Sequence, residues 1–265
     1  MTRAAWLTDI HLNFLSPVKL EKFFTLVNRV QPDCVLISGD ITEAPRLQWS
    51  LSLLEKRIKR PIHFVLGNHD YYSGSFADVQ SLARKMSAGE GHLNWLTAGG
   101  MVELAPGVGL VGHDGWADGR CGDYAASDIM LNDYVAIQDF MGLSKTDRLE
   151  KLNALGDATA GYLHEWLPKA LAQYQQVYLL IHVPPFREAC WHEGGISGDD
   201  WLPHFVCQAA GEALVSIMSR YPSHQLTVLC GHSHGRGEAQ ILPNLRVLTG
   251  GAEYGRPEVQ QVFEW

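Results

Sequence analysis

Five short polar clusters, each placed where a strand-length apolar run ends, constrain this chain more than any other feature. They are Asp9-Ile10-His11, Gly39-Asp40, Gly67-Asn68-His69-Asp70, His182 and Gly231-His232-Ser233-His234. The runs before them cover residues 4–8, 34–38, 62–66, 177–181 and 226–229. Each has the length and apolar content of a buried strand. In open parallel α/β sheets, ligands bind just beyond the carboxyl ends of the strands. Clusters spread from residue 9 to residue 234 are therefore expected to meet in space. Taken singly, each has a plain structural explanation: Asp at a helix cap, Gly-Asn in a turn, histidine at the surface. Caps and turns do not explain why polar clusters recur beyond five separate buried runs.

The segments between the runs carry helical spacing. Leu20, Phe23, Phe24, Val27 and Val30 share one face, as do Leu47, Leu51, Leu54 and Ile58. Strand, helix, strand, helix, strand implies right-handed crossovers and parallel pairing. Residues 101–104 and 109–112 read as short strands, followed by a Gly- and Asp-rich loop over 113–128. Leu149, Leu152, Leu155, Leu163, Trp166 and Leu167 mark a long helix with Pro168 near its end or at a kink. After the strand at 177–181 comes a loop over 183–203. A helix carrying Val206, Ala210, Ala213, Leu214 and Ile217 follows, then strands at 226–229, 245–248 and 259–263. No repeat, low-complexity tract or linker interrupts the pattern. One α/β domain over residues 1–265 is the expectation.

Carboxylate oxygen and imidazole nitrogen, without thiolate, favour Mn, Fe or Zn over a soft-metal or cluster site. In Asp9-x-His11 and His232-x-His234, alternate residues of an extended segment point the same way, so both members can face one site. A carboxylate at Asp40 can bridge two cations, and Asn68 offers a neutral amide oxygen. Gly67 and Gly231 remove bulk where a crowded centre must pack.

The ordered set D-x-H, G-D, G-N-H-D, H, G-H-x-H resembles the calcineurin-like metallophosphoesterases over nearly the whole chain. That resemblance implies two packed mixed β-sheets flanked by helices, a four-layer sandwich, and hydrolysis of phosphate mono- or diesters. It implies one divalent metal ion on Asp9, His11, Asp40 and His234. A second would sit on Asp40, Asn68, His182 and His232, with Asp40 bridging and a hydroxide between the ions as nucleophile. His69 would donate to a phosphoryl oxygen or protonate the leaving group, with Asp70 orienting and charge-stabilising it. Two cations clamp attacking and leaving oxygens and lower the pKa of bound water, so the physics agrees. The alternative is a metal-binding or partner-binding scaffold without chemistry, which should show eroded ligands or lack His69.

Secondary site candidates come from the long loops. His113 and Asp114 directly follow a strand. Trp116, Arg120, Arg187, His192 and Glu193 lie in segments long enough to act as lids, and Arg120 or Arg187 could grip a phosphate oxygen. Tyr254 sits in a turn near the last strand and is a further candidate for the pocket wall.

The net charge of −8 argues against a nucleic-acid partner. Two cations on Asp9 and Asp40 would add about +4 where substrate binds and reverse the sign locally. A phosphate ester, a nucleotide among the candidates, is the expected partner. No apolar stretch reaches membrane-spanning length. The five cysteines are widely spaced with no C-x-x-C pair, which fits a reduced, cytoplasmic protein. Oligomeric state leaves no trace in the sequence.

Overall fold

Successive strand residues point to opposite faces, and each central strand here is apolar on both. The computed structural model describes all residues 1–265. In chain order the elements are β1 (Arg3–Leu7), α1 (Pro17–Arg29), β2 (Cys34–Ser38), α2 (Ala44–Ile58), β3 (Ile62–Val65), α3 (Phe76–Ser87) and β4 (Leu93–Trp95). Next come β5 (Val102–Ala105), β6 (Val108–His113), α4 (Asp133–Ala136), α5 (Lys145–Leu171) and β7 (Gln176–Ile181). The chain ends with β8 (Trp191–His192), β9 (Gly195–Ile196), α6 (Leu202–Phe205), α7 (Gln208–Met218), β10 (Gln225–Cys230), β11 (Gly237–Leu242), β12 (Leu245–Thr249) and β13 (Gln261–Glu264).

Two mixed sheets result, ordered β13-β1-β2-β3-β4 and β11-β12-β10-β7-β6-β5. Ala4 and Trp6 of β1, Leu36 of β2, Tyr178 and Leu180 of β7 and Leu229 of β10 form the core between the sheets. Their alternates in the first sheet, Ala5, Leu7, Val35 and Ile37, pack outward under Phe23, Phe24 and Val27 of α1 and Leu47, Leu51 and Leu54 of α2. Val177, Leu179, Ile181 and Val228 pack outward under Leu163 and Leu167 of α5 and Leu214 and Ile217 of α7. Each fully buried aliphatic side chain contributes about 1.5–3 kcal/mol. Double-sided burial thus holds the four layers together.

Helix starts follow the local chemistry. Ser16 and Ser75 accept from Lys19 and Asp78 backbone N–H groups at the starts of α1 and α3, and Pro17 takes a position needing no donor. Ser144 caps α5 by accepting from the Asp147 N–H, and Pro168 falls in its last turn. The sequence pattern does not announce α3, β4 or β11. β4 has three residues, too few to show a period, and β11 is an edge strand whose side chains are mostly exposed or half-buried. The last strand, expected at 259–263, forms at Gln261–Glu264; it leaves the sheet of its neighbour β12 and pairs antiparallel with β1. None of the helices is long and apolar enough to cross a membrane.

What matters for function is polarity. β1, β2 and β3 run parallel in one sheet, and β6, β7 and β10 run parallel in the other. The carboxyl ends of β1, β2, β3, β7 and β10 meet at one edge.

Candidate metal centre

Five of the nine non-glycine residues with positive φ are Asp9, Asp40, His11, His232 and His234, at φ between 39° and 69°. Left-handed backbone at such residues costs on the order of 1–3 kcal/mol each and persists only where surroundings over-determine it. Here the loops are cross-braced. Asp9 N–H donates to Gly39 O at 3.1 Å, His11 N–H to Asp40 O at 3.0 Å and Gly231 N–H to His182 O at 2.9 Å. The sharp left-handed turns aim the side chains back over the strand ends.

Asp9, His11, Asp40 and His234 place their ligand atoms within 4.8 Å of one another. His11 Nε2 faces His234 Nε2 at 3.4 Å and Asp40 Oδ2 at 3.7 Å, while His234 Nε2 lies 3.5 Å from Asp9 Oδ1. Beside them is a second group. His182 Nδ1–H donates to Ser38 O at 2.8 Å, which leaves the Nε2 lone pair free. His232 Nε2–H donates to His204 O at 3.1 Å, which frees Nδ1. Asn68 Nδ2 donates to Asp133 Oδ1 at 2.8 Å, so its carbonyl oxygen turns inward. Asn68 Oδ1 then sits 3.0 Å from both His182 Nε2 and His232 Nδ1, and His182 Nε2 sits 3.3 Å from Asp40 Oδ1. Lone pairs converge there with no proton to share. That is a cation's environment, and the carbonyl-held imidazoles are the usual support for metal-ligating histidine.

The electrostatics point the same way. Burial, reinforced by the charges of Asp9 and Asp70, pushes Asp40 well above the usual carboxylate range. For Asp9, burial is outweighed by the His234 hydrogen bond and by neighbouring histidines, which hold it well below that range. Two close carboxylates cannot comfortably both ionise without a counter-charge. Burial lowers His11 to about 2 and His232 to about 3, and it also lowers His182. Neutral imidazole is the form a metal needs. At His234 burial is outweighed by Asp9, and its pKa rises. The donor set suits a pair of divalent cations sharing Asp40.

Gly67 and Gly231 permit this crowding. A Cβ at Gly67 would stand 2.6 Å from the Asp40 backbone nitrogen and 2.6 Å from His182 Cε1. At Gly231 it would overlap the Asp9 carboxylate and the Thr8 hydroxyl.

His69 stands at the mouth of a cleft of about 200 Å³ lined also by Asp40, Asn68, His192, His232 and His234. Its ring stacks on Tyr72 at 4.3 Å, and its Nε2 lies 4.0 Å from Asp40 Oδ2 and 3.4 Å from the Tyr254 hydroxyl. The expected Asp70–His69 partnership is absent. Asp70 accepts backbone N–H bonds from Ile41, Thr42 and Gly67 at 2.9–3.2 Å, while His69 Nδ1 is buried without an acceptor. Asp70 therefore fastens the loop after β2 to the loop after β3. It faces away because the single helical turn at Asn68–Tyr71 folds its carboxylate back onto the Gly67 N–H. Burial raises it to about 7 against the pull of those donors.

Of the loop candidates, His192 lines the cleft, its Nδ1–H donating to Ser233 O at 2.9 Å. His113 is turned against Tyr162, with Nδ1 accepting from the Gly115 N–H. Asp114 is consumed by Leu66 N–H, Tyr71, Trp95 and Thr97. Arg120 pairs with Asp118 and Asp157. Arg187 pairs with Asp199 and lines a separate groove of about 400 Å³ that holds no metal-centre residue. Trp116 is core, packed on Tyr71, Phe76 and Phe140. The structure thus leaves His113, Arg120 and Arg187 outside the cleft, because local carboxylates and rings satisfy them first.

Three groups at the centre have no sequence signal. Asp133, Tyr72 and His204 act through neighbours: Tyr72 donates to Asp133 Oδ1 at 2.7 Å, and Asp133 orients Asn68. Losing such an outer partner typically costs 10–100-fold in metal affinity. Asp133→Ala is expected to weaken binding of one of two ions by about that factor while sparing the other. Competition with a chromophoric chelator would reveal it, and equal weakening of both ions would contradict the assignment.

A buried cage of carboxylate, imidazole and amide donors thus lies at the carboxyl edge of two packed mixed sheets. The chain belongs to the calcineurin-like phosphoesterase family, whose model matches residues 2–236. A phosphopantetheinyl hydrolase from Mycobacterium tuberculosis shares the fold, with a TM-score of 0.67, 16% identity and coverage of 96% of this chain and 90% of that one. A dimetal phosphatase from Danio rerio superposes with a TM-score of 0.55 at 15% identity, covering 94% and 87%. A transmembrane protein with metallophosphoesterase domain from Danio rerio is 37% identical over 82 residues, 29% of this chain. Its Bos taurus counterpart is 32% identical over 85 residues, 31% of this chain. These matches span 18% and 19% of the two relatives' lengths.

Proposed function

We propose that this protein hydrolyses phosphate esters with water at a binuclear centre of divalent Mn, Fe or Zn. The observation that carries this reading is the set of lone pairs on Asn68 Oδ1, His182 Nε2 and His232 Nδ1 converging next to Asp40. When bound, two such ions would supply a hydroxide nucleophile near neutral pH and neutralise the phosphoryl oxygens. The protein's own groups do the rest. Asp9, His11 and His234 would hold one ion, Asn68, His182 and His232 the other, and Asp40 both.

His69 is positioned to hydrogen-bond a phosphoryl oxygen entering above Asp40. Burial lowers it to about 4, so it is neutral at pH 7 and serves as a donor rather than a charged acid. Tyr254, half exposed against His11 and His234, walls the same entrance. The cleft is small and open to one side, which suits a phosphoryl group with its ester arm directed outward.

The test is turnover of aryl phosphate mono- and diesters by the metal-loaded protein and by His69→Ala. Removing one transition-state donor costs roughly 10²–10³ in kcat. A loss of that size with both metals retained is expected. Unaltered turnover in the variant, or no turnover of either ester class by the loaded wild type, would contradict the reading.

A further inference from the structure

A second pocket, of about 150 Å³, lies behind the metal cleft at the start of α5 and is lined by Tyr124, Ser127, Met130, Lys145, Arg148 and His204 together with Asp128 and Ile129. Its chemistry is unusual for a space with no assigned role. Arg148 is 8% exposed, yet no carboxylate pairs with it, and its Nε is buried without an acceptor. Its guanidinium lies 4.2 Å over the Tyr134 ring, and Nη1 reaches only the Met130 sulfur at 2.8 Å, a weak acceptor. A buried, unpaired guanidinium is costly unless a negative group completes it.

Other features of the pocket favour an anion. Lys145 Nζ is held inward by Ala125 O at 2.8 Å and Ser127 O at 2.7 Å, and its charge also lacks a carboxylate. Lys145 and Arg148 occupy the first turn of the 27-residue α5, where the helix dipole adds positive potential. The only acidic side chain in the lining, Asp128, is exposed and makes no ion pair with either base.

We propose that this pocket is a binding site for a small tetrahedral oxyanion of the phosphate class, separate from the metal centre. Arg148 and Lys145 supply the charge. Its volume of about 150 Å³ accommodates one phosphate group. Leu131, Asn132, Asp133 and Phe205 face the metal cleft, whereas Ile129, Met130 and His204 face this pocket. The residue 129–133 segment and the His204–Phe205 pair therefore form a wall between the two, and the anion here is a distinct ion. That wall touches the metal centre twice, through His204 O on His232 and through Asp133 on Asn68. His204 also contacts the Tyr134 hydroxyl at 2.5 Å and the Ser127 hydroxyl at 3.0 Å, so the pocket and the centre share one polar network.

The test is calorimetric titration of inorganic phosphate into the full chain, with Asp40→Asn as the background to remove any phosphate site at the metals. One phosphate is expected to bind Asp40→Asn protein. Adding Lys145→Met, at an exposed position, should weaken it about tenfold, as loss of one charge-assisted hydrogen bond implies. Adding Arg148→Met should abolish it, with circular dichroism checking the fold. No phosphate binding by Asp40→Asn protein, or binding that Lys145→Met leaves unchanged, would overturn the proposal. Because the readout needs no turnover, failure of the hydrolase reading leaves this result separately interpretable.

Discussion

Asp40→Asn is expected to lower kcat/KM on an aryl phosphate ester by at least about a thousandfold, the scale of charge neutralisation in phosphoryl transfer. The exchange is nearly isosteric. An asparagine oxygen can still accept the His69 backbone N–H that Asp40 Oδ1 accepts at 2.9 Å. What it loses is the charge and the second ligand oxygen that lets one side chain serve both groups of donors. Metal content should fall from two ions per chain with it. The metal-free fold should not suffer. Burial and the nearby Asp9 and Asp70 already disfavour ionised Asp40, so a neutral side chain relieves repulsion at pH 7. The melting temperature of the metal-free variant is therefore expected to equal or exceed that of metal-free wild type. A variant that keeps both ions and full turnover would refute the bridging role.

Gly67→Ala should have the second largest effect, although it adds only a methyl group. The glycine has φ of −108°, so backbone strain is not the issue. Space is. The new Cβ would be 2.6 Å from the Asp40 backbone nitrogen, which cannot move without dragging β2, and 2.6 Å from His182 Cε1. Forcing extra volume into a packed site costs about 1–3 kcal/mol. The larger consequence is geometric, since Asp40 and His182 must part and the donor set opens. Loss of about 10²-fold or more in activity, which a 1 Å misplacement can cause, should accompany loss of metal. Differential scanning calorimetry with metal analysis measures both. Unchanged metal content would show that the close approach has no bearing on the centre.

How much of this was legible in the chain depends on how each contact is encoded. The ligand residues sit one to four positions beyond buried strands, and strand runs are visible because residues such as Val35 to Ile37 and Leu179 to Ile181 are apolar on both faces. That double-sided burial announces a sheet covered on both sides. It does not say that β13 crosses to pair with β1, since nothing in Gln261–Glu264 specifies which of two edges it joins. Adjacency of Asp70 to His69 suggests a partnership, whereas the single turn at residues 68–71 points the two side chains apart. Asp133 and Tyr72 stayed invisible. Asp133 lies 65 residues from Asn68, at the end of an irregular loop, and no local spacing carries that information. Arg120 and Arg187 looked like phosphate grips because unpaired arginines invite anions, but Asp118, Asp157 and Asp199 already neutralise them. Arg148, hidden in a helical stretch, is buried with its Nε lacking any acceptor.

The most direct measurement is a crystal structure of Mn-loaded protein with anomalous scattering recorded at the Mn absorption edge. Two peaks about 3.5–4 Å apart, one on each side of Asp40, are the expected result. One should lie among Asp9, His11 and His234, the other among Asn68, His182 and His232. A single peak, or peaks that leave Asn68 and His182 without metal, would contradict the account.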